Sequence, residues 1–301
     1  MKPLKIIFLF YLLSCTSKSF SQDTAVSLLS MLEKELEANK DMTVYTTATF
    51  KTTRVINGHS VENVGKGVLD AKISHRFGNI SEGGYELFGL DKATMRMGLD
   101  YGITKNIMIG FGRSTFQKTY DGFIKVKILS QSRGKVNMPV TLSYIPTIAI
   151  TTLKYEDPSI SNHFNSRIAY THQLIVGRKF SDKTSLQFMP TFVHQNLVTL
   201  ASESNNMFAF GIGGRQKLTK RISVNAEYYY QLPSTKLNER TNSLSVGFDI
   251  ETGGHVFQLH FTNSQGMNER SFISDTKGRW DMGDIYFGFN ISRVFTISKK
   301  H

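Results

Sequence analysis

The stretch NSLSVGFDIETGGHVFQLHF, Asn242 to Phe261, decides the fold. Read in twos, Leu244, Val246, Phe248 and Ile250 alternate with Ser243, Ser245, Gly247, Asp249 and Glu251. After Gly253-Gly254 the alternation resumes, with Phe257, Leu259 and Phe261 set against Gln258 and His260. Successive side chains of a strand point to opposite faces, so this is a hairpin with one apolar and one polar face. A two-residue turn at Gly253-Gly254 puts Ile250 opposite Phe257, Phe248 opposite Leu259 and Asp249 opposite Gln258. Both faces then match, and a slip of one residue would destroy the match. A Gly-Gly pair also suits the positive φ angles of such a turn.

The beginning of the chain bears on where this hairpin works. Lys2 and Lys5 precede the apolar run IIFLFYLL, and SFS follows before Gln22. This is the layout of a cleaved signal peptide over residues 1–21. The run is too short to span a bilayer as a helix, which takes roughly 20 apolar residues. The single cysteine, Cys15, lies inside this leader. Cleavage after Ser21 leaves a mature chain without disulfides or cysteine-bound metal. LLSC also matches a lipoprotein cleavage site, with Cys15 acylated. The formal charge is +12, three units of it from the leader lysines Lys2, Lys5 and Lys18. The remaining basic residues are scattered among acids rather than gathered in a stripe, which argues against nucleic acid as a partner.

Residues 22–65 form a separate stretch. Val26, Leu29, Leu32 and Leu36 fall at helical spacing, so Asp23 to Lys40 reads as a short helix. Residues 42–65 are polar and threonine-rich, a strand-like lead-in or a plug. From residue 66 to 301 period-two alternation takes over. Twelve runs are expected, at 66–77, 92–103, 107–116, 121–130, 137–151, 163–179, 184–197, 206–218, 222–232, 242–252, 255–263 and 284–297. Three-residue turns pair Tyr101 with Ile109, Asp100 with Gly110 and Gly213 with Glu227. A few positions break the pattern: Arg113, His172 and Arg293 fall on the apolar face, and Ile145 and Ile175 on the polar one. Turns after even-numbered runs are short. Most links after odd-numbered runs are long.

Alternation alone does not say which face is inside. A soluble secreted β-sandwich that binds a partner would bury the apolar face, whereas a membrane barrel turns it outward. The leader, the loop asymmetry and a glycine-rich polar face carrying charges in mid-strand favour the barrel. The expectation is an all-β protein: one antiparallel, up-and-down transmembrane barrel of about 12 strands, in the outer membrane and in contact with its lipid, with a short N-terminal helix.

Several blocks resemble a family of β-barrel proteins of unknown function from Bacteroidota: RVINGHSVENVGKG (54–67), SHRFG (74–78), YELFGLD (85–91), GGRQKLTKR (213–221), SVGFDIETGGHVFQLHFTNS (245–264) and GDIYFGFNISRVFTI (283–297). The resemblance spans nearly all of the mature chain. It implies an outer-membrane setting and brings no activity and no catalytic residues.

Chemical motifs are sparse. GFGRS (110–114) and GIGGRQ (211–216) are rich in glycine, but no helix follows them as a phosphate loop requires. His255 and His260 sit on opposite faces and cannot share a metal within one strand. Neither a cofactor nor a metal is expected. A barrel enzyme acting on lipid would need a serine beside a base, and His172 or His194, near Asn196 and Ser202, are the candidates. The leading reading is instead passive: a structural membrane protein or a narrow channel for a small solute. Its inward charges are Asp70, Lys72, Arg96, Asp100, Lys125, Lys127, Arg167, Arg215, Lys217, Glu227, Asp249 and Glu251. They make either a paired internal network or a charge-selective constriction. Twelve strands lie between filled eight-stranded and open sixteen-stranded barrels, so side chains plus residues 42–65 could close the lumen. The fold expectation has a simple check. The purified chain should require detergent for extraction and should migrate differently in gels before and after boiling. Release into aqueous buffer would rule the barrel out.

Overall fold

The structure is a computed structural model, and it describes residues 29–35, 42–154, 163–198, 200–233 and 239–298. The expected leader, Cys15 and the outer parts of the N-terminal helix lie outside the described residues. The chain divides into two compact units. In the first, residues 29–35 are helical, and Thr43–Tyr45 pairs antiparallel with Ser132–Gly134. The second comprises residues 46–131 and 138–301.

The second unit is a closed antiparallel barrel of twelve strands. They are β1 (Val68–Asn79), β2 (Ala93–Gly102), β3 (Ile107–Ser114), β4 (Thr119–Leu129), β5 (Thr141–Thr151), β6 (Ile168–Lys179), β7 (Thr184–Gln195), β8 (Asn206–Lys217), β9 (Ile222–Gln231), β10 (Ser243–Thr252), β11 (His255–Thr262) and β12 (Tyr286–Thr296). Each strand pairs with its sequence neighbours, and β12 closes on β1. Closure leaves no edge strand with unpaired backbone groups, which a bilayer would penalise heavily. It also excludes the two-layered sandwich.

The register follows the matching of faces. Ile250 opposes Phe257, Phe248 opposes Leu259 and Asp249 opposes Gln258. Tyr101 opposes Ile109, Asp100 opposes Gly110 and Gly213 opposes Glu227. Two runs begin four or five residues later than the alternation suggests. β5 starts at Thr141 because Pro139 has no N–H to give to a ladder. β6 starts at Ile168 because Phe164–Arg167 forms a 3₁₀ turn.

The faces are inverted relative to a soluble protein. Phe210, Phe248 and Leu259 are 57%, 45% and 39% exposed, whereas Asp100 and Arg215 are 1% and 4% exposed. The outside is therefore an apolar wall, and the polar residues of the same strands are enclosed. Arg113 and Arg293, both outward, lie over the rings of Tyr120 and Phe295 at 5.5 and 5.1 Å. That placement covers their stems with aromatic surface while each guanidinium sits near a strand end.

Phe210 and Leu259 lie mid-strand on the outward wall, where a charge has no partner. Phe210→Arg and Leu259→Arg should each destabilise the barrel in phospholipid by about 2–4 kcal/mol, read as a lowered urea midpoint. An unchanged midpoint for both would contradict an apolar surroundings for this wall.

Candidate functional site in the lumen

Twelve strands enclose more space than their inward side chains fill. Residues 46–65 occupy it. Within this segment Val55 N–H donates to the Gly58 carbonyl at 2.8 Å and Ser60 N–H to the Thr53 carbonyl at 2.9 Å, while Arg54 and His59 form a bridge. The sequence RVINGH is thus a tight hairpin, and nearly all of its residues are buried. Gly58 faces Tyr229 so closely that a Cβ would stand 2.0 Å from the phenol oxygen, so only glycine fits.

A hairpin inside a barrel carries backbone donors and acceptors that water cannot reach, and each must find a partner. The wall supplies them. The Glu227 carboxylate on β9 accepts from the N–H groups of Asn57 at 2.7 Å, Gly58 at 3.1 Å and Ile56 at 3.3 Å. The Lys125 ammonium on β4 donates to the carbonyls of Glu62, Ser60 and Thr53 at 2.8, 3.0 and 3.2 Å. Gln187 on β7 donates to the His59 carbonyl at 2.7 Å and accepts from Val61 N–H at 3.2 Å. Gln258 on β11 and Asn290 on β12 donate to the carbonyls of Val55 and Ile56 at 2.9 and 3.0 Å. The Asn57 amide donates to Ser245 at 2.9 Å and accepts from Arg76 at 2.5 Å.

Around the hairpin the charges pair. Lys72 bonds Asp100 and the Thr53 hydroxyl and lies 3.1 Å from Asp70. Arg96 forks onto both oxygens of Asp121. Gly112 makes the room, since a Cβ there would lie 2.3 Å from the guanidinium. Apolar wall residues complete the docking: Met108, Phe123, Ile145, Ile175 and Met189 cluster with Phe50, Val55, Val61 and Val64 of the inserted segment.

A second element enters from the other rim. In the loop after β11, the short helix Glu269–Ser274 buries Phe272 and Ile273. Its Glu269 pairs with Arg54 and lies 3.3 Å from His59 Nε2. The hairpin and the helix therefore meet at an enclosed carboxylate. His59 also stacks edge-on against Phe123 at 4.3 Å. Burial, reinforced by Arg54 and Lys125, holds its imidazole well below the usual range and therefore neutral.

Of the charges expected to point inward, Asp70, Lys72, Arg96, Asp100, Lys125, Arg215, Glu227 and Asp249 are buried in the lumen. Arg215 donates to the carbonyls of Ala48 and Thr49 at 3.2 and 3.4 Å, and Asp249 accepts from Gln258 at 2.7 Å. Lys127, Lys217 and Glu251 are half-buried towards the short-turn ends of their strands, where Glu251 pairs with Lys51. Arg167 is not in mid-lumen. The 3₁₀ turn carries it to the long-loop rim, where it donates to the carbonyls of Thr151 and Leu153 at 3.1 and 2.6 Å.

Alternation missed several members of the network. Arg76 and Asp121 share the inward parity of Lys72 and Lys125 and were legible on that ground. Arg54, His59 and Glu269 lie outside the strands, where no period marks them. The two candidate histidines of a lipid-acting enzyme face outward, but each is engaged elsewhere. His172 bonds the Tyr144 hydroxyl and His194 the Asn206 amide oxygen, both at 2.7 Å. Among the described residues neither bonds a serine. No group of acids, histidines and cysteines that could hold a metal occurs among them either.

The chain matches the family model described as "Membrane bound beta barrel domain (DUF5777)" over residues 50–295. The match takes in both the hairpin and the barrel. No curated protein matches the chain. Among solved structures it is similar to the NanC porin, at 8% identity and a TM-score of 0.48 over 75% of this chain and 98% of that one. It is also similar to the outer membrane protein Omp33 of Acinetobacter baumannii, at 10% identity and a TM-score of 0.40 over 75% and 97% of the two chains. A third likeness is to the CymD monoaromatic hydrocarbon channel, at 9% identity and a TM-score of 0.35 over 79% and 90%.

The fit of the hairpin can be tested at its tightest point. Gly58→Ala drives a methyl group into the Tyr229 hydroxyl and should weaken docking by about 1–3 kcal/mol. The readout is new tryptic cleavage at Arg54 in the folded barrel. Tyr229→Phe in the same chain should restore part of the protection. Unaltered cleavage in Gly58→Ala would show that the hairpin does not sit against this wall.

Proposed function

The chain belongs to the family of membrane-bound β-barrel domains, and from that premise we propose that it is a non-catalytic transport barrel of the outer membrane, stoppered at rest by its own hairpin. The observation that carries this reading is the bonding of the hairpin backbone. Glu227 accepts hydrogen bonds from the backbone of residues 53–62, and Lys125, Gln187, Gln258 and Asn290 donate to it, rather than facing a water-filled path. An open constriction would leave such groups facing solvent. Here they hold a stopper. A small solute passes only when the hairpin leaves these partners.

The bonds that hold the stopper are also the ones a gate would have to break. Each buried group left unpaired costs about 1–3 kcal/mol, so the hairpin leaves as a unit or not at all. Loss of Glu227 and Lys125 together removes the partners of three N–H groups and three carbonyls.

Planar-bilayer recording tests the reading. The unmodified chain should be electrically silent, and Glu227→Ala/Lys125→Ala should show discrete conductance steps. Steady ohmic steps from the unmodified chain would contradict a stopper. Silence in both would mean that the filled lumen is a structural core and not a gate.

A further inference from the structure

Two prolines stand in the middle of barrel strands, Pro146 in β5 and Pro190 in β7. A proline has no N–H to give to a ladder, and a closed barrel offers no edge strand where that loss is harmless. Both ladders are interrupted at these positions. Between β4 and β5 the pairing passes from Phe123 with Thr147 to Val126 with Tyr144, and omits Ile124 with Pro146 and Lys125 with Ile145. Between β6 and β7 it passes from Gln173 with Thr191 to Val176 with Phe188, and omits Leu174 with Pro190 and Ile175 with Met189. On its other side each proline stays paired, Pro146 with His172 and Pro190 with Phe210. The missing donors therefore point to β4 and to β6.

The two breaks border the same pair of strands. The ladder between β5 and β6 is continuous from Thr141 with Gly177 to Ile150 with Ile168. The bond between the Tyr144 hydroxyl and His172, at 2.7 Å, fastens the pair on its outer face. β5 and β6 thus make a panel that is held together within and loosened along both borders. The break between β6 and β7 is apolar on both faces: Leu174 and Pro190 face outward, and Ile175 and Met189 face inward, fully buried. From Gln173 to Val176 the interrupted seam is roughly 10 Å long. At its long-loop end the Gln173 amide donates to the Thr191 hydroxyl at 2.9 Å and holds it shut. Ile175 and Met189 cluster with Val61 of the hairpin. Departure of the hairpin uncovers an apolar surface directly behind the break.

We propose that the break between β6 and β7 is a lateral port, through which a neutral, apolar molecule passes between the lumen and the hydrocarbon of the bilayer. The inference rests on the stopper reading and adds to it the class of the solute and its route. A polar solute would have to shed its water against Ile175, Met189, Leu174 and Pro190, whereas an apolar one is favoured by the same transfer. Parting two strands inside a bilayer is penalised for each backbone bond broken, and here one of those bonds is already missing.

The test is labelling of a single cysteine in barrels reconstituted in phospholipid vesicles. Cys15→Ser removes the one cysteine of the chain. Ile175→Cys, with Met189→Cys as a second position, is placed in the Glu227→Ala/Lys125→Ala barrel, and heat-modifiable migration checks folding. N-pyrenylmaleimide dissolved in the bilayer should label the cysteine. Pro146→Ala/Pro190→Ala, which returns both N–H groups to their ladders, should slow that labelling at least tenfold. A water-soluble cationic methanethiosulfonate should label at the same rate with and without the prolines, because it enters along the barrel axis. Labelling by the cationic reagent alone, or by the pyrene reagent at one rate with and without the prolines, would overturn the lateral port and leave the stopper standing. No labelling by either reagent would overturn both.

Discussion

One carboxylate organises the interior. Glu227 projects from β9 and gathers the three N–H groups at the tip of the RVINGH turn. A turn in water needs no such partner. A turn inside a barrel does, because the hydrogen bonds lost to solvent must be replaced one for one. Burying a carboxylate is itself costly, and three N–H donors, with Arg76 reaching the same turn through Asn57, offset that cost. Lys125 meets the same constraint for the carbonyls on the opposite side of the hairpin. Gln187, Arg215, Gln258 and Asn290 follow from the same requirement. They are there to pair with a particular piece of backbone.

The hairpin explains why the lumen is not uniform. The inserted segment is bonded through its backbone and packed through its apolar side chains. Ile145 and Ile175 break the alternation of their strands because those apolar side chains lie against them, near where Val61 meets Gly177. The helix Glu269–Ser274 completes the filling from the other rim, and the pairing of Glu269 with Arg54 joins the two insertions. The same short helix carries Arg270, which bonds Asp275 and the Gln117 amide oxygen.

The barrel was legible in the sequence because its physics is periodic. Strand number, register at Gly253-Gly254 and the outward face of Phe210 and Phe248 all follow from period two and the matching of faces. The charges on those strands were legible for the same reason. Of the interior, the sequence offered only residues 42–65 as a candidate plug, without its partners. The fate of residues 54–62 depends on partners 19 to 234 positions away in the chain, such as Arg76 for Asn57 and Asn290 for Ile56. No local pattern encodes such distances. The two misplaced isoleucines were the visible trace, since a lumen filled with water has no use for them. Arg167 failed for a smaller reason: a 3₁₀ turn interrupts the alternation just before β6 and moves the side chain to the rim.

The central claim is that the RVINGH turn is docked on Glu227 inside the folded barrel. Amide hydrogen exchange of the barrel reconstituted in lipid nanodiscs tests it most directly. The N–H groups of Asn57 and Gly58 should exchange as slowly as those in the middle of β9, since they open only when the hairpin leaves. If they exchange at the rate of a free peptide while β9 stays protected, the hairpin is not held there, and the account is wrong at its foundation.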